Sequence, residues 1–97
     1  MNIQILESAV EDLKGGYYFY EFQERGLGDY FLESLYADIE SLKLYAGIHS
    51  IQFEKYFRLL SMRFPFAIYY TKDGNDVIVY AVLDCRRDPA WIRKKLK

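Results

Sequence analysis

The sequence predicts an α+β domain: an N-terminal strand, a helical hairpin packed on a mainly antiparallel sheet, and a short C-terminal helix. Three observations predict it. Apolar residues recur at helical spacing through the first half of the chain, and β-branched and aromatic runs occupy the second half. The length of 97 residues suits a single hydrophobic core. With 52% hydrophobic and 19% aromatic residues, the chain carries enough apolar bulk to fold without a metal or disulfide, so residues 1–97 are read as one domain.

The elements follow in order. Asn2 to Leu6 alternates apolar and polar residues, as a strand does. Ser8-Ala9-Val10-Glu11 has the spacing of a capping box, so a helix is expected to begin there. Val10, Leu13, Tyr17 and Tyr20 form its apolar stripe up to Gly26, a residue suited to a left-handed stop. Gly15-Gly16 is anomalous, since each glycine inside a helix costs about 1 kcal/mol relative to alanine; close packing against the next helix is one reason to keep it. Gly28-Asp29 opens a second helical pattern with Phe31, Leu35, Ile39 and Leu42 inward and Glu33, Glu40 and Lys43 outward, closed by Gly47. The short connection Gly26-Leu27-Gly28 folds the two helices into a hairpin.

Past Ile48-His49-Ser50 the pattern becomes extended. Strands are expected over Phe57–Arg63, Phe66–Thr71 and Val77–Leu83. Lys72-Asp73-Gly74-Asn75-Asp76 joins the last two as an antiparallel hairpin, and Pro65, which cannot donate to a ladder, places a bend or bulge before them. Asp88 as N-cap and Pro89 at the first helical position begin a terminal helix with cations near its end.

Charge is divided along the chain. Residues 1–50 carry a net charge of -6 and residues 51–97 a net charge of +5. A basic half attracts anionic surfaces such as nucleic acid or an acidic peptide. Cys85 is the only cysteine, which excludes an internal disulfide and fits a reducing compartment. No leader pattern opens the chain and no window approaches a membrane span, so a cytoplasmic protein without membrane association is expected. His49 is read as a solvated loop residue, and neither a metal site nor a cofactor is expected.

With these elements placed, the chain resembles the RelE/ParE superfamily of bacterial type II toxin-antitoxin toxins, the plasmid stabilisation toxins, in its ParE-like branch. The resemblance runs through Ala9, Asp12 and Leu13, the helix from Gly28 to Leu42, and Phe57-Arg58-Leu59-Leu60. It continues through Arg63-Phe64-Pro65-Phe66-Ala67-Ile68-Tyr69-Tyr70, Val79-Tyr80-Ala81-Val82-Leu83 and Cys85-Arg86-Arg87-Asp88-Pro89. It implies a growth inhibitor neutralised by a cognate antitoxin whose C-terminal segment wraps it, in a toxin dimer or a toxin-antitoxin hetero-oligomer. One branch of the superfamily cleaves messenger RNA on the ribosome, and another blocks DNA gyrase.

Metal-free RNA cleavage requires a base, an acid and cations for the phosphate. Arg58, Arg63, Arg86 and Arg87 are the candidate cations, with Arg63 expected beside Arg86 or Arg87; Glu54 and Lys55 are a candidate acid-base pair. Nuclease members of the superfamily commonly place a tyrosine or histidine just past the last catalytic arginine, whereas here Asp88, Pro89, Ala90 and Trp91 follow Arg87 and neither residue type occurs after Tyr80. That departure favours target binding through Arg86, Arg87, Trp91, Arg93 and Lys94, with gyrase ahead of the ribosome. A third alternative is a non-toxic member retaining only antitoxin binding. Tyr69, Tyr70 and Tyr80 are assigned to the fold, and Trp91 to packing of the terminal helix on the sheet.

Overall fold

The computed structural model describes residues 1–96. The chain runs β1 (Asn2–Ile5), α1 (Glu7–Gln23), α2 (Leu27–Glu40), α3 (Leu42–Tyr45), β2 (Ser50–Gln52), β3 (Tyr56–Leu60), β4 (Phe66–Asp73), β5 (Asp76–Asp84) and α4 (Pro89–Lys95). The five strands form one sheet in the order β1-β5-β4-β3-β2. Strand β1 runs parallel to β5, and the other three pairings are antiparallel. The α+β architecture is the expected one.

Two glycines set the helical hairpin. At Gly16 a Cβ would overlap the Phe31 ring, and at Gly28 it would lie 2.7 Å from the Tyr17 carbonyl oxygen, so α1 and α2 approach more closely than side chains would permit. The sequence anomaly at Gly16 is thus a packing requirement. Glu21 secures the turn by accepting from the backbone N–H groups of Gly26 (3.1 Å) and Gly28 (2.9 Å), where donors at the start of α2 lack helical partners.

Helix α1 starts differently from its expected capping box. Its N-cap is Leu6, with no side-chain cap, and the Ser8 hydroxyl instead donates to the Tyr80 carbonyl at 2.8 Å. The reason lies in the sheet. Strand β1 stops at Ile5 while β5 continues to Asp84, which leaves backbone groups of β5 without a neighbouring strand. The start of α1 supplies partners: the Leu6 N–H donates to the Val79 carbonyl at 3.0 Å, Ser8 reaches Tyr80, and the Asp12 carboxylate accepts from the Val82 N–H at 3.0 Å.

The expected second helix, continuous to Gly47, divides at Ser41, whose hydroxyl donates back to the Asp38 carbonyl at 2.6 Å. Such back-bonding competes with the helical ladder. Strand β2 was not expected; it pairs with β3 through a turn in which Phe53 and Glu54 adopt positive φ angles of 55° and 63°. Neither residue signals that conformation, which glycine and asparagine favour. Strand β3 ends at Leu60, earlier than expected, and Arg63 lies in the bend that leads to Pro65.

The sheet has two covered faces. Phe66, Ile68, Tyr70, Val77, Val79 and Val82 meet Leu13, Tyr20, Phe31 and Leu35 of the helical hairpin in the larger core. Tyr56, Ala67, Tyr69, Ala81 and Leu83 meet Ile92 and Leu96 at the C-terminal helix. A register shift between Tyr69 and Tyr70 leaves Tyr80 as the extra residue of β5, so Tyr80 and Ala81 both serve the α4 face. Tyr69 and Tyr70 are buried on opposite faces, as core aromatics.

Candidate functional site

Helix α4 positions most of the candidate binding residues. Asp88 caps it, accepting from the Ala90 N–H at 2.8 Å, and Pro89 occupies the first turn, as the sequence predicts. Ile92 and Leu96 point into the sheet, and the Tyr56 hydroxyl donates to the Leu96 carbonyl at 2.7 Å. Trp91 is partly buried against the same cluster, in the packing role expected of it. The exposed side of the helix is left to Arg93, Lys94 and Lys95.

Several cations lie over aromatic rings on this side of the molecule. The Arg87 guanidinium is 4.1 Å from the Trp91 ring centroid, Arg93 is 5.0 Å from Phe53, and the Lys55 ammonium is 5.2 Å from Tyr56. Ring faces attract cations without neutralising them. None of Lys55, Arg87, Arg93 and Lys94 forms a salt bridge among the described residues. Phe53, Glu54, Lys55, Tyr56, Arg93 and Leu96 line an open cleft of about 530 Å³ between the β2–β3 turn and the end of α4. Two cations and one carboxylate thus stand beside the Phe53 and Tyr56 rings.

Arg58 lies on the same sheet face as α4, opposite Tyr69, but Arg63 and Arg86 do not converge there. Arg63 was expected beside Arg86 or Arg87, but its guanidinium lies 5.8 Å from the Tyr30 ring of α2, and its charge acts on Asp38 of the same helix. The bend before Pro65, which follows the end of β3, accounts for this placement. Arg86 is held by Asp84 through two hydrogen bonds of 3.0 and 2.7 Å, and its guanidinium keeps the Asp84 carboxyl below the usual carboxylate range. A guanidinium held this way has fewer donors for a phosphate. Arg58 is half-buried opposite Tyr69, with its Nε lacking a hydrogen-bond partner. Glu54 and Lys55 are exposed at the β2–β3 turn, where the Lys55 ammonium faces Tyr56 and Tyr80.

His49 corrects the expectation of a solvated loop residue. Its Nδ1 is hydrogen-bonded to the Tyr70 hydroxyl, which also accepts from the Gly47 N–H at 2.9 Å. Burial lowers the imidazole pKa from its ordinary 6.5 and raises the Tyr70 phenol. No group of three or more metal-ligating side chains occurs among the described residues, and no helix there is long and apolar enough to cross a membrane.

Two sequence-level comparisons find nothing: no family model and no curated protein matches this chain. Fold comparison does. A chain from the structure of the chromosomal ParDE TA system of P. aeruginosa superimposes with a TM-score of 0.71 at 15% sequence identity, covering 84% of this chain and 92% of that one. At that identity the likeness is one of architecture. The protein thus carries a ParE-like α+β fold.

Proposed function

We propose that the protein is the toxin component of a type II toxin-antitoxin system, a ParE-like growth inhibitor that binds an essential host target such as DNA gyrase. The observation that carries this reading is the separation of the arginines. Arg63 lies against α2 and Arg86 is paired with Asp84, while Arg87, Arg93 and Lys94 ring the terminal helix. Metal-free RNA cleavage needs several cations gathered on one phosphate as its charge grows. A binding surface requires only exposed cations on a rigid element, and the likeness in fold to a ParDE chain supports the same reading.

Expression in a sensitive host tests it. Growth arrest with DNA-damage signalling and intact messages is the expected result, and Arg93→Glu combined with Lys94→Glu relieves the arrest. Rapid, codon-biased message cleavage would instead favour ribosome-dependent RNA cleavage, and growth without arrest would favour a member that only binds its antitoxin. The cognate antitoxin is expected to offer an acidic and apolar tail to the sheet side that carries α4. Calorimetric titration with the neighbouring gene product should then show binding that weakens as salt rises.

A further inference from the structure

Between α3 and β2 the chain turns through Ala46, Gly47, Ile48 and His49, and its hydrogen bonds to the sheet meet at one side chain. Ala46 and Ile48 donate locally, to the Leu42 and Tyr45 carbonyls. Gly47, held at a φ of 100°, donates its N–H to the Tyr70 hydroxyl at 2.9 Å, and the His49 Nδ1 is hydrogen-bonded to the same oxygen. Tyr70 is itself fixed. It is fully buried in β4, with the Phe57 ring of β3 stacked at 5.2 Å and the His49 ring set edge-on at 5.5 Å. Strand β2 begins at the residue after His49, pairs with β3 alone, and leads to the turn that sets Phe53 beside Arg93.

A count of protons fixes the state of the imidazole. A phenol carries one proton. Because the Gly47 N–H already points at the Tyr70 oxygen, that proton goes to His49 Nδ1, which is then the bare nitrogen of a neutral ring protonated at Nε2. Two donors meet two acceptors. A proton added at Nδ1 makes three donors, namely Nδ1–H, Gly47 N–H and Tyr70 O–H, and leaves the phenol oxygen to receive them. One donor loses its partner at a buried position, where an unmade hydrogen bond is costly.

We propose that His49 and Tyr70 form a proton-operated latch, in which neutral His49 fastens the α3–β2 turn to β4 and protonation of Nδ1 releases the turn together with the start of β2. Burial lowers the imidazole pKa from its ordinary 6.5, the direction that a neutral ring in the fold requires. The latch is therefore closed above pH 6.5 and opens as pH falls through the lower folded-state value. The titratable and charged groups around it are few. Strand β4 offers the Tyr70 phenol and Lys72, whose stem passes Gly47, β3 offers the apolar Phe57 ring, and Lys43 of α3 is paired with Glu40. Nothing in this device requires the toxin reading.

Nuclear magnetic resonance on the full chain tests it between about pH 8 and about pH 4.5, a range that spans the ordinary histidine value. At the upper end the imidazole nitrogen shifts should report the Nε2–H tautomer. As His49 titrates, the protection factor of the Gly47 amide should fall by up to about tenfold per pH unit, since one proton is linked to opening, while the Ile68 amide in the middle of β4 keeps its protection. His49→Asn puts a carboxamide oxygen near the place of Nδ1 and takes up no proton, so Gly47 should stay protected throughout. His49→Ala should lower its protection at every pH. An Nδ1–H tautomer, Gly47 protection that does not respond to pH, the same acid loss in His49→Asn, or simultaneous loss at Ile68 would overturn the proposal.

Discussion

The two faces of the sheet are covered very differently. Under the helical hairpin, Tyr20, Phe31, Phe64 and Phe66 form an aromatic cluster with ring centroids 4.8 to 6.2 Å apart, closed by two helices of 17 and 14 residues. The opposite face carries a helix of seven residues, anchored by Ile92, Leu96 and one tyrosine hydrogen bond. The first arrangement resists opening because many apolar groups would be exposed together. Thin cover leaves cations and rings accessible at the margin of the second face, so stability and recognition are assigned to different sides of one sheet.

Substitutions can break or sharpen this contrast. The largest effect is expected from Phe31→Ala, which removes a fully buried ring and should cost about 3–5 kcal/mol in chemical denaturation, a large part of a small domain's stability. Asp12→Ala should cost about 1–3 kcal/mol, because the Val82 N–H at the β5 edge loses its acceptor. Faster hydrogen exchange at Val82 would locate that loss. Tyr56→Phe should cost about 1 kcal/mol and act locally. Exchange should accelerate in α4 while the hairpin keeps its protection; equal acceleration on both sides would refute the division.

The smallest expected effect is a pH dependence. Because burial lowers the folded-state pKa of His49, folding favours the neutral imidazole over that of the unfolded chain. Its stabilisation is complete above about pH 6.5, declines as pH falls below that value, and levels off beneath the depressed folded-state pKa. Denaturation midpoints at pH 7.5 and 5.5 should therefore differ less in His49→Asn than in the parent chain. An unchanged difference would remove His49 from the account.

Much of the fold was legible. The apolar stripes located both long helices, Asp73-Gly74 located the β4–β5 turn, and Asp88-Pro89 located the start of α4. What was missed shares a physical origin. Phe53 and Glu54 form a turn that their types disfavour, Ser8 gives up a cap to satisfy Tyr80, and β5 takes in an extra residue at Tyr80. Each depends on groups distant in sequence.

The candidate site was less legible than the fold. Trp91, Arg93 and Lys94 lie within α4 and Arg87 stacks on Trp91, as their closeness along the chain suggested, but Arg86, expected with them, is held by Asp84. The sequence could not place Arg63 against Tyr30 or pair the ring of His49 with Tyr70, because these contacts form only when α2, β4 and the loops between them meet.

By itself the sequence determined which segments are helical or extended, which side of each is apolar, and where charge is concentrated, since these follow from side-chain type and spacing along a local backbone. Only the tertiary structure decided the parallel pairing of β1 with β5, the scattering of the arginines and the exposure of one side of α1. Those features depend on which surfaces meet, and spacing along a single chain carries no record of that.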